Sequence, residues 1–228
     1  MSVTALIAAS GQGQRMGGEI KKQYLQLEGR PILARTLEIF IRHQAVNQIV
    51  VVVPVAETVL ARNTIKPFCS LEKICFVEGG KRRQDSVYQG LQAVSRDAEM
   101  VCIHDGVRPF VSAKLFEDVL EAARKYGAAV PVIPVTDTLK ELSISGFVER
   151  TISRETVYRA QTPQIFRHDL ITEAYRKAYI LGVEATDDAY LLELLGGKVC
   201  TVPGSPSNIK VTHPLDLLFA EALLKRGC

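Results

Sequence analysis

Long hydrophobic runs are missing from this chain of 228 residues. No stretch approaches the roughly 18 uncharged apolar residues of a membrane span, so no membrane partner is expected. A strong charge of one sign is missing too. Lys and Arg number 28 against 25 Asp and Glu, and the net +3 is too small for a nucleic-acid track, although a local basic cluster can still hold a phosphate. Cysteine is sparse: Cys69, Cys75, Cys102, Cys200 and Cys228 are odd in number, scattered, and without a Cys-x-x-Cys spacing. That pattern excludes a disulfide framework or a zinc knuckle and favours a reducing cytoplasm. Met1-Ser2-Val3-Thr4 brings no basic region ahead of its short apolar run, and a glycine-rich turn stands where a small-residue cleavage site belongs. No signal peptide is therefore expected. Repeats and low-complexity tracts are also absent.

What is there is the composition of a folded, soluble protein, 47% hydrophobic and 23% charged. At about 150 residues per domain, the length fits one domain with a small elaboration. Apolar runs at 3–8, 49–53, 74–77, 100–103 and 128–133 read as buried strands, and segments of helical period lie between them at 31–42, 85–94 and 113–126. The runs are nearly continuous in Val, Ile and Ala, which suits a sheet covered on both faces. The strand–helix order implies parallel pairing with right-handed crossovers. Pro31 is placed in a helix's first turn, where its missing N–H costs nothing. The fold class is α/β, a doubly wound, mostly parallel sheet.

The rhythm breaks after Pro134. Residues 136–142, a turn at 143–146 and residues 147–152 read as a polar hairpin projecting from the sheet, so 135–157 is taken as an arm on a domain of residues 1–228. Helices resume at 168–181, 187–195 and 214–225, with a strand at 199–202.

The first strand runs into Ala8-Ala9-Ser10-Gly11-Gln12-Gly13-Gln14-Arg15-Met16-Gly17. Small residues there let backbone N–H groups approach an anion. A P-loop reading fails, because Gln14-Arg15-Met16 stands where Gly-Lys-Ser/Thr is needed. A dinucleotide reading is weak: Met16 occupies the sixth position, and the next strand ends Val52-Val53-Pro54 without the acid a ribose needs. Arg15 and Lys21-Lys22 beside the glycines suit a polyphosphate, whose oxygens gain charge as a phosphoryl group transfers. The competing reading is an ordinary surface turn. The loop's place at a strand's carboxyl end favours the first.

His104-Asp105-Gly106-Val107-Arg108-Pro109 ends another strand, at the sheet edge where open α/β folds bind ligands. A carboxylate there can hold Mg²⁺ against phosphate oxygens, or Asp105 can simply cap a turn. His104 is read as structural. Gly79-Gly80-Lys81-Arg82-Arg83-Gln84-Asp85-Ser86 is read from its chemistry as a basic helix-start loop with Asp85 or Ser86 as cap. Thr186-Asp187-Asp188 likewise reads as a helix cap, and Thr162-Pro163 as a strand end.

These motifs occur in a familiar order. The Ala-Ala-x-Gly-x-Gly-x-Arg-Met loop and Lys22-Gln23-Tyr24-Leu25 resemble nucleotidyltransferases that activate phosphorylated sugars and alcohols. With Gly79-Gly80, Asp85-Ser86-Val87, the His104–Pro109 motif, Asp137-Thr138-Leu139-Lys140, Gln161-Thr162-Pro163-Gln164, Thr186-Asp187 and Asn208-Ile209-Lys210-Val211-Thr212, the chain most resembles the 2-C-methyl-D-erythritol 4-phosphate cytidylyltransferase family of the non-mevalonate isoprenoid pathway. The resemblance implies a Rossmann-like nucleotidyltransferase fold and in-line attack of a polyol phosphate on the α-phosphorus of CTP. It implies catalytic roles for Arg15, Lys22, Arg154 and Lys210. It places CTP against Ala8, Ala9, Ser10, Gly11, Gly13, Gly80, Ser86, Asp105 and Gly106, with Mg²⁺ on Asp105. The polyol phosphate is assigned to Arg108, Thr138, Arg154, Thr162 and Thr186, and a homodimer built through the arm brings Thr138 and Arg154 into the partner's site. Arg154 could instead pair with Glu155 or Glu149.

Two positions depart from the family pattern. Ser207 stands where an acid often precedes Asn-Ile-Lys, so a carboxylate orienting Lys210 must come from elsewhere, with Asp105 the candidate. Ser10 replaces a more usual alanine, which a backbone-only contact tolerates. Two rival functions remain open: a cytidylyltransferase for ribitol 5-phosphate, and a non-catalytic nucleotide sensor on the same fold.

Overall fold

The structure, a computed structural model, describes residues 2–11 and 20–226. In chain order it contains β1 (Val3–Ala8), a 3₁₀ turn (Lys22–Tyr24), a ribbon of β2 (Gln26–Leu27) and β3 (Arg30–Pro31), α1 (Ile32–Arg42), β4 (Val46–Val53), α2 (Thr58–Ile65), β5 (Ile74–Glu78), α3 (Arg83–Leu91), β6 (Met100–Asp105), α4 (Ala113–Tyr126) and β7 (Ala128–Pro134). Then come β8 (Leu139–Leu142), β9 (Val148–Ile152), β10 (Tyr158–Ala160), β11 (Gln164–Arg167), α5 (His168–Leu181), α6 (Asp188–Leu194), β12 (Cys200–Pro203) and α7 (Pro214–Lys225).

The unalternating strands are central, as their composition requires. Ile49 through Val53 are fully buried, and so are Ala5, Leu6 and Ile7. Both faces of the sheet are covered, and side chains alternate between two cores. Ala5 and Ile7 join Leu37, Phe40 and Phe116 on one face. Leu6 joins Val50, Val52, Val87 and Tyr175 on the other. On that second face α3 lies very close to the sheet. A Cβ on Gly90 would come within 2.7 Å of Val52 Cγ2, so glycine permits the approach.

β1 pairs in parallel with β4 on one side and β6 on the other, and β4 pairs in parallel with β5. The chain thus moves outward from β1 to β5 and returns to β6 across β1, which creates a switch point at the carboxyl ends of β1 and β6. Ala8 and Asp105 are partners in register there. Beyond β6 lies the part of the sheet that is not parallel throughout. β11 runs antiparallel between β6 and β7, β10 pairs antiparallel with the far half of β7, and β12 closes the other edge of β7 in parallel. The sheet remains mostly parallel, with this short insert.

Several boundaries differ from the sequence reading. Pro31 precedes α1 as its N-cap in extended conformation (φ −55°, ψ 139°) and does not sit in the first turn. α2 was not anticipated, because only Ala61 and Ile65 of its eight residues are buried, too little to print a clear period. β10 and β11 are three and four residues long, below the length at which a run stands out. The hairpin is β8 paired with β9 from Leu139↔Ile152 to Leu142↔Val148, in a sheet of its own. Ile144 and Phe147 near its tip are exposed. Among the described residues, no helix is long and apolar enough to cross a membrane.

Candidate functional site

At the switch point, the end of β1 and the loop after β5 meet. Gly106 N donates to Ala8 O at 2.9 Å, and a Cβ on Gly106 would stand 2.7 Å from the Ala9 Cβ, so only glycine lets the two strand ends close up. The Ser10 hydroxyl donates to Ser86 Oγ at 2.7 Å. Ser86 Oγ also accepts from Gly80 N at 3.1 Å and directs its own proton to Arg82 O at 3.0 Å. The Ser10 substitution is therefore more than a tolerated backbone position: it ties the glycine loop to the start of α3.

These groups line a cleft of about 260 Å³, which gathers Ala8, Ala9, Ser10, Gly11, Gly80, Ser86 and Asp105 together with Lys22 and Lys210. The two adjacent lysines part ways. Lys21 Nζ bonds Glu57 at 2.5 Å, and Glu57 also accepts from the Tyr24 hydroxyl at 3.1 Å. Lys22 faces the cleft, its Cε near Gly11. Arg15 and Gly13 lie outside the described residues.

Asp105, 5% exposed, is the centre of charge. Its Oδ2 meets Arg108 Nε and Lys210 Nζ, each at 3.0 Å, and its Oδ1 lies 3.5 Å from Arg83 Nε. Burial would raise the carboxyl's pKa, but Arg83, Lys210 and Arg108 together hold it well below the usual carboxylate range. The carboxylate expected to orient Lys210 is thus Asp105, while the Ser207 hydroxyl bonds Ser205 at 2.8 Å. Asn208 anchors the Lys210 segment: its Nδ2 donates to Thr162 O at 2.8 Å, and its carbonyl accepts from Arg108 Nη1 at 2.8 Å.

His104 is structural, as expected, and the structure supplies its partners. Its Nε2 faces Arg108 O at 3.1 Å and its Nδ1 faces Thr162 Oγ1 at 3.0 Å. Burial pulls its pKa down to about 4, so the ring is neutral at pH 7. A carbonyl cannot donate, so Nε2 carries the proton and Nδ1 accepts from the Thr162 hydroxyl. Thr162 Oγ1 in turn accepts from Asp105 N at 3.1 Å. The proton that the resemblance would direct to a phosphate is held by His104 in this arrangement, and Thr162 fixes the backbone of Asp105.

A second cavity of about 160 Å³ adjoins the first, lined by Arg108, Thr162, Thr186, Asp187 and Gln164 and sharing Arg83, Asp105 and Lys210 with it. Asp187, not Thr186, caps α6, accepting from Tyr190 N at 3.0 Å, which leaves Thr186 exposed at the cavity wall. Thr138 and Arg154 line neither cavity. Arg154 donates to Thr136 O at the base of the hairpin, so the alternative pairing with Glu149 or Glu155 gives way to a carbonyl contact.

From sequence, Arg82 and Arg83 alike belong to a basic helix-start loop. That holds for Arg82, whose backbone N–H donates to Asp85 Oδ2 at 3.1 Å and whose guanidinium donates to Asp85 Oδ1 at 2.7 Å at the start of α3. Arg83 instead turns inward, its Nη1 and Nη2 donating to Asp188 at 2.9 and 2.7 Å. Burial opposes its charge, but Asp188 and Asp105 outweigh it and raise its pKa further. No local signal marks this, since Arg82 and Arg83 look alike in sequence.

The family model of 2-C-methyl-D-erythritol 4-phosphate cytidylyltransferase (IspD) matches residues 3–226. A protein of that name from Pelotomaculum thermopropionicum is 46% identical over 224 residues, covering 98% of this chain and 94% of its own. The crystal structure of 4-diphosphocytidyl-2C-methyl-D-erythritol synthase from Anaerococcus prevotii is similar with a TM-score of 0.87 at 33% identity, over 99% of this chain and 96% of that one. The cytidylyltransferase of Thermus thermophilus follows with a TM-score of 0.80 at 39% identity, over 99% and 100%. With a cleft at the switch point and the family's motifs around it, the chain belongs to the 2-C-methyl-D-erythritol 4-phosphate cytidylyltransferase family.

Proposed function

We propose a division of roles for the reaction that this chain catalyses, the transfer of CMP from CTP to 2-C-methyl-D-erythritol 4-phosphate with release of pyrophosphate, in isoprenoid precursor synthesis. The observation that carries the assignment is that two cavities meet at Asp105 and Lys210. CTP takes the larger one, its base against Gly80 and Ser86 and its phosphates along Ala8 to Gly11, Gly13 and Gly106. The polyol phosphate takes the smaller one, against Arg108 and Thr186, with Thr162 holding the wall. The phosphate is already a nucleophile, so positioning and charge stabilisation suffice and no covalent enzyme intermediate is needed. Arg15 and Lys22 stabilise charge on the transferring group, and Lys210 positions the attacking phosphate.

Mg²⁺ fits the donor set as a nucleotide-borne ion. Among the described residues no group of three or more His, Cys, Asp or Glu gathers to cage a metal. Mg²⁺ is ordinarily held by one or two carboxylates plus substrate phosphates. Asp105 is the carboxylate that would hold it, and the bound ion would neutralise phosphate charge.

The chain is read as one nucleotidyltransferase domain, residues 1–228, working as a cytoplasmic homodimer. Its arm, 135–157, buries little of itself, and a two-stranded hairpin is stable only when something packs on it. A twofold partner offering an equivalent arm meets that need and carries Thr138 and Arg154 into the opposite site.

Pyrophosphate release with CTP tests the assignment. Turnover with 2-C-methyl-D-erythritol 4-phosphate is expected to exceed that with ribitol 5-phosphate, and ATP is expected to be a poor donor, because a pocket of Gly80 and Ser86 suits a pyrimidine. Faster release with ribitol 5-phosphate would reassign the polyol. Tight CTP binding without release would favour a sensor, and equal use of ATP would move the base pocket.

A further inference from the structure

Asp105 is clasped by three cations, but they are not equivalent. All three line the smaller cavity, but Arg108 and Lys210 both meet Oδ2 and neither is held by a second carboxylate among the described contacts, so an incoming phosphate competes for them. Arg83 meets Oδ1 through Nε, and its two remaining nitrogens are taken by Asp188. Asp188 is fully buried and also accepts from the Tyr175 hydroxyl at 2.5 Å. A guanidinium held by two parallel bonds to a buried carboxylate does not turn toward a phosphate, because that would leave Asp188 uncompensated. The pair Arg83–Asp188 adds no net charge to the site. What it contributes is a direction.

We propose that Arg83, pinned from behind by Asp188, is a positioning residue that keeps Asp105 in place while Arg108 and Lys210 shift to the substrates. The chain Tyr175–Asp188–Arg83–Asp105 joins α5, α6 and α3 to the end of β6. It sets the carboxylate on the wall shared by the two cavities. Displacement of a reacting group by about 1 Å costs on the order of a hundredfold in rate, so this support is felt in turnover. The inference rests on the role given to Asp105 above. Turnover of Asp105→Asn with CTP and 2-C-methyl-D-erythritol 4-phosphate tests that role separately: a loss larger than that of Arg83→Gln is expected, and none would remove the premise.

A double-variant cycle on kcat decides it, using Arg83→Gln, Asp188→Asn and the two combined, with melting temperature recorded for each. Arg83→Gln is expected to lower kcat about tenfold to a hundredfold in a protein that still melts cooperatively. Arg83→Lys does not restore it, because an ammonium cannot hold Asp188 bidentately and reach Asp105. Asp188→Asn is expected to lower kcat in the parent and to add less than about twofold in the Arg83→Gln background, since its effect passes through Arg83. Should Asp188→Asn fail to fold, Tyr175→Phe takes its place in the cycle, with a smaller loss in the parent and none in the Arg83→Gln background. A folded Arg83→Gln protein with kcat within threefold of the parent overturns the proposal. So does an Asp188 or Tyr175 effect that is undiminished without Arg83.

Discussion

Lys21 and Lys22 are neighbours with opposite fates, and the difference is testable. Lys21 is occupied by Glu57, whereas Lys22 faces the cleft over Gly11. Lys22→Ala and Arg15→Ala are each expected to lower turnover by about 10² to 10³, the scale for losing one preorganised charge contact. Lys21→Ala is expected to change it less than threefold; steady-state kinetics on folded variants separates the cases. Gly106 supports a second prediction at this scale. A methyl there meets the Ala9 Cβ at 2.7 Å and the Ala8 carbonyl oxygen at 3.2 Å, neither on a flexible side chain. Gly106→Ala is expected to cost about 1–3 kcal/mol of stability, the usual toll of overpacking, and to raise KM for CTP. An unchanged urea midpoint together with unchanged KM would show that the strand ends yield.

The arm exposes most of its own side chains. Within β8 and β9 only Leu139, Glu141 and Ile152 are even partly buried, and Arg154 is tied to the hairpin's base through Thr136 O. Subunit exchange tests whether Arg154 serves a partner's site. Inactive Arg15→Ala and inactive Arg154→Ala chains are mixed. If Arg154 acts across the interface, a mixed dimer has one site with both lesions and one with neither, and statistical exchange restores roughly a quarter of all sites. If it acts within its own chain, every site keeps one lesion and mixing restores nothing. Confirmed exchange without recovery would end the shared-site model.

For the whole molecule, acid stability follows from the buried His104. Its folded pKa of about 4 lies below the ordinary 6.5, so the unfolded chain takes up a proton first as pH falls. Stability contributed by this residue is complete above pH 6.5 and is lost progressively down to about pH 4. The loss across that window is roughly 3 kcal/mol. Asp105, also depressed, adds its loss only below the ordinary carboxylate range. Urea midpoints at pH 7.5, 6, 5 and 4.5 are expected to fall steadily, and His104→Gln is expected to flatten the fall. A parent protein equally stable at pH 5 and 7.5 would contradict the burial of this ring.

Sequence by itself determined the sheet's central strands, α4 and α5, the projecting hairpin, and the placing of the glycine loop and Asp105 at strand ends. Burial writes these locally: a strand covered on both faces must be continuous in Val, Ile and Ala, and a ligand loop must follow it. The family order of motifs then assigned roles to Lys22, Ser86, Asp105, Arg108 and Lys210, and all of these line the two cavities. Tertiary structure alone decided which charges meet. Arg83 and Asp188 are 105 residues apart, and nothing in either neighbourhood separates Arg83 from Arg82. The hydroxyl of Thr162 donates to His104, 58 residues away, a partner that no local pattern announces. The antiparallel insert of β10 and β11 was equally hidden, because strands of three and four residues carry no period of their own. Pairings between distant segments are set by the packing of the sheet, and a local pattern records only that a residue is buried, not what it is buried against.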